Sequence, residues 1–154
     1  MTIRSLVPDD WETWRDLRLR SLADAPDSFG STSAREQCFS EADWRDRLMA
    51  TPVVAFVDGT PAAMGGAFHG GEEWAHIIAM WTAPQFRRMG LSRMVLDELV
   101  RQIRGQGRRV VLDVTRGNAA ARTAYERYGF VATGRAEPVR EGSGLLVDEM
   151  VLPD

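Results

Sequence analysis

The run from Trp74 to Thr82 is nine residues long and almost wholly apolar, interrupted by His76, and Pro84 stops it two residues later. A stretch this short and this apolar reads as a central strand buried on both faces of a sheet. An amphipathic helix follows at once: between Arg88 and Arg104 the residues Leu91, Val95, Leu99 and Ile103 fall four apart, Met94 and Leu96 widen the stripe, and Gly105 closes it. Val110 to Val114 is then a second buried strand.

The flanking sequence supplies the rest of a mixed architecture. Thr2 to Val7 opens as a strand, and Pro8-Asp9-Asp10 starts a helix with proline and acids where its dipole favours negative charge. Residues 24 to 39 are rich in Pro, Gly, Ser and Asp and read as an exposed connection. Ser40-Glu41-Ala42-Asp43 begins a short helix carrying Trp44 and Leu48 on one face. Val53 to Val57 and Ala62 to Phe68 form a hairpin about Asp58-Gly59-Thr60-Pro61. Asn118 caps a helix through Tyr128, Gly129 ends it, and strands Phe130 to Thr133 and Leu145 to Leu152 flank a loop over 134 to 144.

Composition bounds the chemistry. One cysteine, Cys38, forbids an internal disulfide, and with two histidines the chain lacks the ligands of a Cys/His zinc site, so no metal is expected. All 19 basic residues are arginine and the net charge is -3, which argues against a nucleic-acid partner and confines any anion site to a local patch. No apolar run approaches a membrane span, and MTIRSLVPDDW lacks the h-region of a leader, so a cytoplasmic protein of bacterial type, a single domain over 1–154, is the expectation.

Chemistry concentrates where the Trp74 strand meets the helix, in Thr82-Ala83-Pro84-Gln85-Phe86-Arg87-Arg88-Met89-Gly90-Leu91-Ser92. Free N–H groups at a helix start bind phosphate, Gly90 and Ser92 let it approach the backbone, and Arg87 and Arg88 add charge. After the strand Leu112-Asp113-Val114 comes Asn118-Ala119-Ala120-Ala121-Arg122-Thr123-Ala124-Tyr125-Glu126-Arg127-Tyr128-Gly129-Phe130. This ordered pair, R-x-x-G-x-small and N-x-x-A-x-x-x-Y-x-x-x-G-F, resembles the GNAT superfamily of acetyl-coenzyme A dependent N-acetyltransferases, closely over residues 74 to 133.

The resemblance implies an α/β fold of the α+β type, with a mixed central sheet of six to seven strands, about four helices and a splay at the cofactor site. It implies acetyl-CoA as co-substrate: pyrophosphate on the backbone of Arg87, Arg88, Met89, Gly90, Leu91 and Ser92, pantetheine paired like an added strand with Met80, Trp81 and Thr82, and Asn118 against the cofactor arm. Ser92 stands where the family usually has Gly or Ala, and Met89 where a basic residue is common. A backbone N–H near Trp81 or Thr82, where family strands bulge, would meet the oxyanion of a tetrahedral intermediate.

Acyl transfer to an amine needs an acid for the departing thiolate and a base for the ammonium proton. Tyr125 is the expected acid. His76 on the central strand is the first candidate base, with a reference pKa of about 6.5, and Asp113 the second. Asp24, Asp27, Glu36, Glu72 and Glu73 lie in segments that flank the acceptor entrance in the family, which suits a cationic small-molecule amine. A protein N-terminal or peptide acetyltransferase and a non-catalytic acyl-CoA sensor are the alternatives. Homodimerisation through the last strand is possible, and Cys38 is incidental.

Overall fold

The computed structural model describes residues 1–26, 31–69, 71–139, 141–142 and 144–154. Seven strands form one sheet in the order β1-β2-β3-β4-β5-β7-β6, where β1 is Thr2–Ser5, β2 Val53–Val57, β3 Thr60–Phe68, β4 Trp74–Thr82, β5 Arg109–Thr115, β6 Val131–Pro138 and β7 Leu146–Leu152. Every pairing is antiparallel except β4 with β5, joined by the crossover helix α4, Leu91–Gly105. This is the mixed sheet the resemblance implies.

Two cores sandwich the sheet. On one face α4 lays Leu91, Val95, Leu96, Leu99, Val100 and Ile103 against β3, β4 and β5, joined by Phe130 at the end of α5, Ala119–Tyr128. The four-residue recurrence read in the sequence is that buried stripe, although the helix begins at Leu91 rather than Arg88 because Arg88 and Gly90 take left-handed φ of 67° and 77°. On the other face α1, Trp11–Asp24, and α3, Glu41–Arg47, bury Leu17, Leu22 and Trp44 against Met64 and Trp81, joined by Leu48 from the 3-10 turn Leu48–Ala50 that follows α3. Ser40 and Asp43 start α3 with a reciprocal capping box.

Two boundaries differ from the sequence reading. The segment read as an exposed connection holds a one-turn helix, α2, Ser33–Glu36, which makes five α-helices among the described residues. Its Glu36 is fully buried against Arg18, a long-range partner that local composition cannot reveal. β6 begins one residue after Phe130 and runs on to Pro138, well past Thr133, because pairing with β7 holds it although every residue along it is exposed.

One irregularity positions the site. Between the pairs Met64↔Trp81 and Gly66↔Ile78, β4 carries one residue more than β3, and Ala79 in this bulge has φ of 59°. Gly65 lies opposite, where a Cβ would collide with Met80 Sδ and fall 2.8 Å from Val95 Cγ1 and 2.9 Å from Leu99 Cδ1. Gly65→Ala is therefore expected to destabilise the fold by about 1–3 kcal/mol through overpacking, seen as a lower denaturation midpoint at unchanged m-value.

Candidate active site

Just ahead of the bulge, from Ile78 on, β4 and β5 part. Their parallel register covers Trp74↔Arg109 to Ile77↔Leu112 and then stops, so from Ile78 to Thr82 the edge of β4 facing β5 has no strand partner. A cavity of about 600 Å³ passes through this gap, and it reaches from Ile78, Ala79 and Met80 on β4 to Asp113, Asn118 and Tyr125. The bulge lies at Ala79 and Met80, two residues ahead of the expected Trp81 and Thr82. Neither of those lines the cavity, and the Trp81 side chain turns to the other core, where its Nε1–H donates to Asp24 Oδ2 at 2.9 Å.

Alternation along β5 divides the chemistry between the two faces. Leu112 and Val114 point into the α4 core, against which Tyr125 packs its ring edge-to-face with Phe130 at 5.9 Å. Burial pushes the Tyr125 phenol up to about 12, and its hydroxyl makes no hydrogen bond among the described residues. Asp113 points to the opposite face, opposite Glu149 in the β5–β7 register. Its carboxyl is raised above the ordinary value by desolvation and by the charges of Glu137 and Glu149, against the pull of His76.

His76, half-buried, pairs with Phe68 and Val111, two residues before Asp113, and is not among the cavity-lining residues. Asn118 caps α5 by accepting from the Ala121 N–H at 3.2 Å, while its amide nitrogen makes no hydrogen bond among the described residues. A cap and a second contact are compatible, because the cap uses only the side-chain oxygen.

The strand-to-helix turn fits a polyphosphate. No side chain caps α4 and no acid lies in its first turn, so the N–H groups of Leu91, Ser92 and Arg93 are left at the positive end of the helix dipole. A Cβ on Gly90 would meet nothing within 4 Å, so the approach is open. Leu91 offers only its backbone, its side chain being core, whereas Met89 is exposed. The guanidinium of Arg87 is engaged elsewhere, donating to Asp24 Oδ2 at 2.7 Å and to the Thr82 carbonyl at 3.1 Å. Hydrogen bonds from Trp81 and Arg87 hold the Asp24 carboxyl below its usual range.

The acids named for the entrance do not gather there. Asp24 is tied to Trp81 and Arg87; Glu36 is buried in a bidentate pair with Arg18; Glu72 and Glu73 are exposed outside the cavity lining; Asp27 lies outside the described residues. The acids that reach the cavity are Asp113 and Glu137, and Glu137 escaped notice because β6 carries no motif. Among the described residues no three His, Cys, Asp or Glu side chains converge as a metal site, and no helix is long and apolar enough to cross a membrane.

Comparison with known proteins agrees with this geometry. The acetyltransferase (GNAT) family model matches residues 9–130. Ard1 from Thermoplasma volcanium superposes with a TM-score of 0.76 at 23% identity, over 99% of this chain and 98% of that one. The ribosomal-protein-alanine N-acetyltransferase of Brucella melitensis gives 0.75 at 19% identity, over 98% of both chains. yncA from Salmonella typhimurium, solved with acetyl-CoA, gives 0.76 at 19% identity, over 100% of this chain and 98% of that one. No curated protein matches the sequence. With a parted β4–β5 pair, an uncapped α4 and a family model spanning most of its length, the chain belongs to the acetyltransferase (GNAT) family and is an acetyl-CoA-dependent acetyltransferase.

Proposed function

We propose that the protein acetylates the primary amine of a small molecule by direct attack of the amine on the thioester. The observation that carries this reading is the cavity through the β4–β5 gap, with Tyr125 on one face of the sheet and Asp113 on the other. Cofactor and acceptor thus approach from opposite faces and meet at the gap.

When bound, acetyl-CoA supplies an acyl carbon activated as a thioester. The α4 N-terminus with Arg88 holds phosphate oxygens, the open edge of β4 from Met80 to Thr82 pairs with the amide-bearing arm, and the free amide nitrogen of Asn118 braces it. Asp113 takes the proton that an ammonium must lose before its nitrogen is nucleophilic. A carboxyl raised above its ordinary value is a better proton acceptor than an unperturbed one, and Asp113 reaches the cavity where His76 does not. His76 stands behind it as a positioning residue, whose electrostatic influence favours the carboxylate form. Attack of the amine on the thioester carbonyl would form the C–N bond first, giving a tetrahedral intermediate whose collapse would break the C–S bond, with the Tyr125 O–H placed to meet the departing sulfur. A phenol near 12 holds its proton more tightly than a thiol near 8.5 does, so Tyr125 acts first as a hydrogen-bond donor, and solvent supplies the final proton.

The names of Ard1 and of the ribosomal-protein-alanine enzyme support a second reading, in which the acceptor is a protein N-terminus. Titrating acetyl-CoA by calorimetry and then following thiol release with a panel of small amines and peptides separates the two. Release with small amines is the expected result. Release with peptides alone would overturn it, and binding without release would make the protein an acyl-CoA sensor.

A further inference from the structure

The cavity has two walls of opposite charge, and the chemistry above uses only one. Asp113 and Glu137 form the acidic wall on β5 and β6. Facing them from α1, α2 and α3 are Arg18, Arg35 and Arg47. Glu36 answers the charge of Arg18 through bonds of 2.9 and 3.0 Å. Among the described residues no carboxylate comes within ion-pair distance of Arg35 or Arg47. The Arg47 guanidinium lies 4.4 Å over the Phe39 ring, which places the group without neutralising it. Arg47 is exposed at the cavity wall, where partial desolvation, and then the like charges of Arg18 and Arg35, hold it below its ordinary pKa against the pull of Glu36 and Asp43. Among the described residues this wall is short of negative charge.

We propose that the acceptor is a small amino acid, its carboxylate seated on Arg35 and Arg47 and its amine turned toward Asp113 and Glu137. The assignment rests on the transferase reading and adds the acceptor class to it. Planar guanidinium groups pair with carboxylates in a fork that fixes direction as well as charge, and a zwitterion held this way presents its nitrogen to the base. A polyamine would satisfy the acidic wall and be repelled by the basic one. A neutral amine would leave both guanidiniums unanswered, and an ordinary peptide N-terminus carries no anion beside its amine. Cofactor phosphate does not explain the arginines, because residues 87–92 at the start of α4 lie outside this cavity. The balance of the step is R–NH3⁺ plus acetyl thioester giving R–NH–COCH3, free thiol and one H⁺, with the carboxylate unchanged.

The test is kcat/KM for matched acceptors: free amino acids, their methyl esters, the corresponding decarboxylated amines, diamines, and tripeptides with neutral side chains. Wild type should prefer the free acid over its ester by at least tenfold, as expected where a site built for a polar group rejects the analogue lacking it. Arg47→Gln should bring that ratio toward one, chiefly through a higher KM for the acid. Arg35→Gln, at a position exposed like that of Arg47, should lower the ratio in the same direction, and thermal melting confirms that each variant is folded. Equal or better turnover of esters, diamines or tripeptides, or a ratio untouched by both variants, would overturn this acceptor class and leave the transferase standing. Acetyl-CoA binding with no thiol release for any acceptor would instead sink the transferase reading, and this proposal with it.

Discussion

Tyr125→Phe is expected to lower kcat by about 10²-fold or more while acetyl-CoA affinity stays within about twofold. The change removes one oxygen and keeps the ring, so the edge-to-face packing on Phe130 and the place of α5 against β5 survive. Melting temperature should therefore hardly move, and the loss reads as chemistry rather than folding. The pH profile carries the sign. Because burial raises the phenol to about 12, the proton stays on Tyr125 throughout the neutral and mildly alkaline range. Wild-type kcat should thus show no downward limb below about pH 10, where a phenol at its reference value of about 10 would already be half ionised. A Phe variant with near wild-type kcat would mean that another group meets the sulfur. A loss confined to acetyl-CoA affinity would make Tyr125 a binding residue.

Several candidate residues of this site could be read from the sequence because they sit at fixed offsets within single elements. Gly90 and Leu91 begin α4, and Asn118 and Tyr125 share α5, so the periodicity of one helix places each pair without knowledge of the rest. What the sequence concealed arises between elements. The parting of β4 from β5 is a fact of backbone pairing; side-chain pattern on either strand is the same whether they pair or not, and Ala79 gives no sign of its left-handed φ. Arg87 looks like a phosphate ligand beside Arg88, yet the acid that engages its side chain stands 63 positions away. The pairing of Glu36 with Arg18 spans 18 positions and turns an apparent entrance acid into a buried structural one.

β6 shows the same limit from the other side. An edge strand exposed along its whole length has no burial alternation to betray it, and Gly134 to Pro138 reads as the start of the loop over 134 to 144. Because that strand brings Glu137 to the cavity, missing it meant missing half of the acidic wall. Charges that matter electrostatically at a site are set by which strands become neighbours, and nearness in sequence to an entrance loop is a poor guide to that.

Asp113→Asn puts the second large effect where function and stability part company. As the proton acceptor, Asp113 should be worth about 10²–10⁴-fold in kcat/KM, and Asn cannot replace it. In the wild type, kcat/KM should fall on the acid side as Asp113 takes up a proton, with a midpoint above the ordinary carboxyl value because desolvation, Glu137 and Glu149 all raise it against His76. That limb should vanish in the Asn variant. Stability moves the other way. A carboxyl whose folded pKa lies above its unfolded one makes the ionised form a burden on the fold at neutral pH, and the burden lifts only as pH drops through the folded value. Asn removes the charge facing Glu149 across the β5–β7 pair, a like-charge contact that costs about 0.2–1 kcal/mol. Because Asp113 is exposed to the cleft, solvent screening favours the lower end. The variant should therefore melt about 0.5–1 °C higher at pH 7 and lose this advantage toward acid pH. An inactive variant that melts lower would point to a structural carboxylate, and an active one would return the proton to His76 or to water.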